Sequence, residues 1–437
     1  MFNFIQNIKD DIQERKSSLS AEIIAGISSF LSLSYIFVVN PSILSQAGMN
    51  PSSVLFATII ISGLATIFMG LYARLPFVLA PGLEMNAYVA FVAVGALGLS
   101  WQQGLGAVFW SGIIFIILTL LGIRESLINS IPNKLKFGLA FSVGAFVFAI
   151  GLLLSGIFIY EGVDFKGVGS LVSDNAIVLY LGLGLIILLD YLKVPGSILI
   201  SIILASVYAN YIGLVEPYKV DEATDMFSGI GSFDLFNFSS AMITSIIILF
   251  LVDFYGSLAK FIGMTMNTEI IEKDKNGNDI VPRTKEALII DGVSTLGGSL
   301  LGTTSVTTYV ESAVGISAGG RTGLVAIVTG VLMLLVYFLI PYIHYIPVVA
   351  TSGALVYVGY KLIPKHEIIK SYTLSDRLVF VGMGLLAIFT FSLDLAMILG
   401  FSFYLIQGYK ENNSLNKMLM VSIFLLLIGR ILQYIWV

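Results

Sequence analysis

The sequence predicts an all-α polytopic membrane protein, organised as a seven-plus-seven inverted repeat of about fourteen spans. A further apolar helix follows at the C-terminal end. Three observations lead there: extreme hydropathy, a one-sided distribution of basic residues, and a faint internal repeat. Of 437 residues, 57% are hydrophobic and only 11% are charged, whereas ordinary soluble domains carry about 25% charged residues. The mean hydropathy is +0.95. A chain of this composition is at home in lipid.

Composition also excludes several classes of function. With no cysteines there is no disulfide framework and no thiolate metal site. A formal charge of −4, small for this length, argues against nucleic acid as a partner. The opening "MFNFIQNIKDDIQERKSSLS" is polar and charged, so it reads as an amphipathic, cytoplasmic lead-in over residues 1–20 and not as a cleavable signal.

A spanning helix needs about 20 mostly apolar residues. Candidate spans begin near Ala21, Ser52, Glu84, Gly104, Leu135, Ala176 and Gly196, then near Ser239, Glu286, Ser305, Thr322, Pro347, Leu378 and Leu395. This places a first repeat over residues 21–215, an inverted second over 236–410, and the extra apolar helix within 411–437. With the N-terminus inside, only Lys166 and Lys219 of the 23 basic residues fall in outside loops. That is the positive-inside bias of a correct topology. Ile131-Pro132 precedes "FSVGAFVFAIG" as Ile346-Pro347 precedes "TSGALVYVGYK", and "LGLGLIILL" resembles "VGMGLLAIF". An odd number of spans per copy inverts the second copy. Inverted repeats of this kind place a transport site at the repeat interface.

Two spans are conspicuously polar. In "GTTSVTTYVESAVGISAGGRTG", Gly302 to Gly323, the β-branched run favours a short extended segment with a helix starting near Tyr309. Thr308 and Glu311 have the T-x-x-E spacing of a capping box, yet a carboxylate at membrane depth is by default a site residue. In "FVLAPGLEMNAYVAF", Pro81 and Gly82 break the chain just before Glu84 and Asn86. Two half-helices opening at one cavity would aim their positive dipole ends at a shared ligand. A third acid, Asp253, lies deep in "ILFLVDFYGSLAKFIG", with Ser257 one turn on and on the same face.

His344 and His366 are isolated and form no metal site. "DKNGND" has Gly277 at its fourth position, where a calcium loop needs glycine at the sixth. No Walker-type phosphate loop is present, which argues against ATP-driven transport by this chain alone.

"AEIIAGISSFLSLSYIFVVNPSIL", "LAPGLEMNA", "FLVDFYGS" and "GTTSVTTYVESAVGISAGGRTGL" resemble the azaguanine-type purine permeases, the hypoxanthine/guanine/adenine branch of the nucleobase–ascorbate (nucleobase–cation symporter) superfamily. The resemblance runs from about Ala21 to about Leu362. It implies a core domain (spans 1–4 and 8–11) working against a gate domain (spans 5–7 and 12–14), often within a homodimer in the cell membrane. It also places the substrate-binding carboxylates on Asp253 and Glu311. Two departures stand out: Glu84 replaces a family glycine, and Gly256 replaces a family aspartate.

The chemistry fits a nucleobase. A carboxylate takes two adjacent ring N–H groups by charge-assisted bonds, hydroxyls and half-helix amides serve ring acceptors, and Phe254, Tyr255 and Tyr309 are available for stacking. The expected substrate-binding set is Glu84, Asn86, Asp253, Ser257, Thr308, Tyr309 and Glu311. No cofactor is expected beyond a coupling H⁺ or Na⁺. Alternatives on the same fold are uracil, xanthine, or an organic or inorganic anion. An intramembrane enzyme using Asp253 and Glu311 would have no need of paired half-helices.

Overall fold

The computed structural model describes residues 10–122, 133–161, 164–214, 225–265, 270, 272–273, 279–340, 345–363, 370, 372–412 and 416–436. His344, His366 and most of "DKNGND" lie outside them. Among the described residues six helices are long and apolar enough to cross a bilayer, among them Pro51–Ala73, Trp101–Leu120 and Ser240–Ser257. Shorter apolar helices include Leu83–Val94 and Ser197–Tyr211.

The helices pack in a pattern that repeats itself. Gly323–Leu335 lies on Pro51–Phe68 and on Leu19–Leu33, and Trp101–Leu120 lies on Thr284–Leu301 and on Ser240–Thr265. Asp174–Tyr191 packs on Ser352–Lys361, as Leu374–Phe389 packs on Asn133–Leu154. Exchanging the two halves of the chain maps each of these contacts onto another. The segments "LGLGLIILL" and "VGMGLLAIF" thus occupy equivalent places, each against the helix of the opposite half.

Lipid offers no hydrophobic drive between helices, so close approach of small residues takes its place. A Cβ at Gly330 would meet the Gly63 carbonyl oxygen at 2.6 Å. Seven residues away, Gly70 and Gly323 are still closer, and a Cβ on either would run into the other's carbonyl oxygen. The last glycine of "GGRTG" is therefore a helix-crossing point.

Arg321 and Thr322 of that motif are bound by Glu22. Its Oε1 accepts from the Arg321 amide at 3.0 Å, and its Oε2 from the Thr322 amide at 3.2 Å and hydroxyl at 2.8 Å. A buried carboxylate thus caps the Gly323–Leu335 helix at its positive end.

Between the two halves the chain abandons the helix twice. Leu79–Pro81 and Val306–Thr308 are β-strands, paired antiparallel with Leu79 opposite Thr308 and Pro81 opposite Val306. Every residue of both strands is buried. Irregular backbone survives inside a membrane protein only where its polar groups find partners. Here Gly82 donates to the Ser305 carbonyl at 2.9 Å and Tyr309 to the Val78 carbonyl at 2.9 Å. The Leu79 amide reaches Thr66 Oγ1 at 2.9 Å and the Val78 amide reaches Ser312 Oγ at 2.9 Å. Pro81 brings no N–H to satisfy, which suits it to the end of a strand.

The helix Lys417–Trp436 packs on Ser240–Thr265 and on Leu393–Asn412. Arg430 Nε lies 2.6 Å from Asp394 Oδ2, and Thr244 Oγ1 donates to the Gly429 carbonyl at 2.9 Å.

Candidate functional site

The two strands bring four elements to one place: the helix Leu83–Ala87 after the first strand, Ser312–Ser317 after the second, Ser240–Thr265 and Thr284–Leu301. Four residues of the hydroxyl run "TTSVTT" tie the second strand to these elements and to Asn40. Thr303 Oγ1 accepts from Asn40 Nδ2 at 2.9 Å. Thr304 donates to Asn86 Oδ1, and Ser305 donates to Asp253 Oδ2. Thr307 shares a hydrogen bond with Ser257 Oγ at 3.1 Å.

Thr308 Oγ1 is buried and has no hydrogen-bond partner among the described residues. The capping box is not formed: the helix begins at Ser312, later than Tyr309, and its N-cap Glu311 makes no side-chain cap bond. A Tyr309–Ser312 bond closes a turn first, so Glu311 is held one residue short of the helix, with its carboxylate turned to other partners.

Those partners matter. Tyr35 donates its hydroxyl to Glu311 Oε1 at 2.6 Å. Glu311 Oε2 is buried with no partner among the described residues. Asn86 Nδ2 shares that condition, its amide oxygen already taken by Thr304. A buried acceptor, donor and hydroxyl without partners cost about 1–3 kcal/mol each unless a ligand satisfies them. Glu311 is the N-cap of one half-helix, Asn86 lies within the other, and Thr308 ends a strand.

Asp253 anchors a second cluster, in which both of its own oxygens are engaged. Ser257 Oγ lies 3.1 Å from Asp253 Oδ1, 3.0 Å from Asp291 Oδ2 and within hydrogen-bond distance of Thr307. Thr295 Oγ1 approaches Asp253 Oδ2 at 3.5 Å and Ser305 Oγ at 2.9 Å. The two acids thus stand on neighbouring helices with one hydroxyl between them.

Glu84 does not pair with Asp253. Lys260 Nζ donates to Glu84 Oε1 at 2.6 Å, with side chains only 13% and 6% exposed. Removing one partner of such a pair costs about 3–5 kcal/mol, because the other charge is left stranded. Tyr309 closes the wall beside them: Lys260 Nζ is 5.7 Å from its ring centre, and its hydroxyl donates to the Pro81 carbonyl.

The structure therefore gathers the expected residues into two adjoining groups. Glu84, Asn86, Thr308, Tyr309 and Glu311 surround the strand ends, and Asp253 and Ser257 face the second strand from the helix side. Two expected stacking residues point elsewhere. Tyr255 shares a 2.5 Å hydrogen bond with Ser422 and packs on Phe401, while Phe254 packs on Phe250 and Tyr255. Sequence reasoning missed Lys260, Tyr35 and Asp291. Asp291 offered the same signal as Asp253, an acid inside the apolar "ALIIDGVSTLGG". Lys260 follows Asp253 by seven residues on the same helical face.

The model of the family described as "Permease family" matches residues 20–363. Over 343 residues the chain is 37% identical to the adenine permease AdeQ of Escherichia coli, covering 78% of this chain and 76% of that protein. Over 347 residues it is 32% identical to the guanine/hypoxanthine permease PbuO of Bacillus subtilis, covering 76% and 78%. Among solved structures, the transmembrane domain of a cyanobacterium bicarbonate transporter, BicA, aligns with TM-score 0.61 at 14% identity, covering 85% of this chain and 95% of that one. That last likeness is one of fold. By sequence, the chain belongs to the Permease family, in its purine permease branch, and is a multi-pass membrane transporter and not an enzyme.

Proposed function

We propose that the protein is a secondary active transporter that imports purine nucleobases by alternating access, coupled to H⁺ or Na⁺. The observation that carries this reading is the set of unsatisfied buried groups at the strand ends. Glu311 Oε2 offers an acceptor, Asn86 Nδ2 a donor and Thr308 Oγ1 either. A purine edge presents N–H donors beside carbonyl or ring-nitrogen acceptors and fits such a mixture. A small inorganic anion would call for donors only, so Glu311 disfavours that alternative. The names of the relatives AdeQ and PbuO, adenine and guanine/hypoxanthine permeases, support the substrate class.

In this reading Glu311 and Asn86 bind the base edge, Thr308 and Tyr309 line the wall, and Glu84 shapes the far side through its ion pair. Asp253 and Ser257 serve as the coupling group, since their hydroxyl-bridged cluster adjoins the base without needing it. The core domain comprises spans 1–4 and 8–11 and the gate domain spans 5–7 and 12–14 of a seven-plus-seven array, with the C-terminal helix as a fifteenth apolar segment. The exchange symmetry of the helix packing supports that count. We place the protein in the cell membrane as a homodimer with a cytoplasmic N-terminus.

Uptake of radiolabelled hypoxanthine, guanine and adenine into proteoliposomes tests the reading. Saturable uptake of at least one, driven by a proton or sodium gradient, is the expected result. Uptake of uracil or bicarbonate with no purine uptake would overturn it.

A further inference from the structure

The Lys417–Trp436 helix turns one face to the rest of the protein. Leu419, Ser422, Leu426 and Gly429 recur at helical spacing and are buried, whereas Val421, Phe424 and Leu427 are exposed. The helix packs on two others at once, Ser240–Thr265 and Leu393–Asn412. These are spans 8 and 14, one in the core domain and one in the gate domain of the reading above. The last helix therefore straddles the boundary between them. It lies beyond residues 20–363, the stretch that the family model matches.

Its attachments to the two sides differ in kind. Along the core helix it is pinned at two points. Ser422 shares a 2.5 Å hydrogen bond with Tyr255, and the Gly429 carbonyl accepts from Thr244 Oγ1 at 2.9 Å. Thr244 and Tyr255 stand about three turns apart on that helix. On the gate side the polar contacts gather at one point. Arg430 Nε lies 2.6 Å from Asp394 Oδ2, Arg430 Nη2 donates to Ser392 Oγ at 2.7 Å, and Ser392 donates to Asp394 Oδ1.

Phe391, next to Ser392, makes a second link across the boundary. Its backbone is left-handed, with φ at +48°, a conformation that a bulky residue keeps only where its surroundings impose it. The buried ring packs on Phe146 and Tyr160, with centres 4.8 and 4.7 Å away, both on the gate side. It also meets Phe91 of the core half-helix Leu83–Val94 edge-on at 5.9 Å. The turn between the Leu374–Phe389 and Leu393–Asn412 helices thus reaches the core through Phe91 and the last helix through Arg430.

These contacts answer differently to a parting of the domains. Neutral hydrogen bonds along the middle of a buried helix have no water to replace them. Asp394 stands in the first turn of its helix, beside a connecting turn, where water can hydrate both charges and offset the loss of the pair. The ion pair is the contact built to give way.

We propose that the Lys417–Trp436 helix travels with the core domain, and that Arg430 and Asp394, beside Phe391, form a latch that closes one face of the transporter and opens once per cycle. The inference rests on the alternating-access reading above and adds the contact at which the domains part.

The chain has no cysteine, so introduced pairs report without background. Thr244→Cys/Gly429→Cys ties the helix to the core by a disulfide, since a Cβ at Gly429 would lie 3.9 Å from the Thr244 Cα. Asp394→Cys/Arg430→Cys removes both charges together and ties the helix to the gate through a short bis-methanethiosulfonate linker. Purine uptake into proteoliposomes is measured before cross-linking, after it and after reduction. The core cross-link should keep at least about half of the uptake, and the gate cross-link should leave less than about a tenth, restored by reductant. Uptake that survives the gate cross-link, or that is lost with the core cross-link, overturns the inference. Spin-label distances in nanodiscs give a readout that needs no substrate. The pair Ile243→Cys/Phe424→Cys should show one distance and the pair Leu385→Cys/Phe424→Cys two. One distance for both pairs, or two for the first, also overturns the inference. Failure of the purine reading alone looks different: no purine enters vesicles holding the unmodified protein, while the spin-label distances still divide as stated.

Discussion

Tyr35 donates its hydroxyl to Glu311 Oε1 at 2.6 Å, joining the turn after the Leu19–Leu33 helix to the residue that opens the Ser312–Ser317 helix. One oxygen of the carboxylate is fixed by this bond, and the other is left without a partner among the described residues. Tyr35 is therefore a positioning residue. Tyr35→Phe should raise the KM for purine uptake roughly 10- to 100-fold, the worth of a hydrogen bond to a charged group, with thermal stability in detergent close to wild type. An unchanged KM would mean that Glu311 is oriented by other contacts.

Asp253 is an acceptor for Ser305 and Ser257 and faces Thr295. Asp253→Asn presents an amide NH₂ to hydroxyls that now donate inward, so two of them must reorient. Transport should fall well below a tenth of wild type while purine binding by thermal shift persists, because the base-edge atoms belong to the other group. Loss of binding together with transport would place Asp253 on the substrate itself. Unfolding should also occur at lower temperature, by a destabilisation of about 1–3 kcal/mol.

The crossing at Gly70 and Gly323 leaves no room for a methyl group on either helix. Gly323→Ala should destabilise the protein by about 1–3 kcal/mol, the usual penalty of overpacking, read as a lower melting temperature and lower yield of folded protein. A melting temperature equal to wild type would show that the two helices separate easily and that the contact has little energetic weight.

Glu84→Gly strands Lys260 in a largely buried place. Uptake and stability should both suffer, in line with about 3–5 kcal/mol for breaking one side of a buried pair. Adding Gly256→Asp supplies a carboxylate one turn before Lys260, where it can take over the ammonium. The second substitution should recover at least part of the lost stability and uptake. No recovery in the double variant would mean that the ammonium cannot turn from the half-helix towards its own helix.

Much of this arrangement is legible in the sequence, and the reasons are local. Pro81 cannot sit in a helix interior without losing a bond, and six residues of "TTSVTT" hold four threonines, so both breaks announce themselves. Asp253 stands out because no apolar run tolerates a carboxylate without cause. The partners of these residues are another matter. Lys260 near the end of a helix reads as a side chain reaching for the interface, and nothing in the chain says that Glu84, from a helix 176 positions away, meets it. Tyr35, 276 positions from Glu311, is one aromatic among 20 tyrosines. The Thr308–Glu311 spacing predicts a cap that the structure does not make, because a turn at Tyr309–Ser312 delays the helix. Tyr255 sits beside Asp253 in sequence, yet successive helix residues face different ways, and it turns to Ser422 on the last helix.

The central claim is that Glu311 binds the base edge with its second oxygen. The most direct measurement compares wild type and Glu311→Gln in proteoliposomes loaded for purine uptake, with binding read by thermal shift on the same preparations. Glutamine keeps the size of the side chain and an oxygen for Tyr35, but loses the charge-assisted acceptor, a loss of about 1.5–3 kcal/mol. The account predicts a folded variant with binding weakened at least about tenfold and no measurable uptake. Wild-type binding and uptake by Glu311→Gln would contradict it and reduce Glu311 to a structural acceptor for Tyr35.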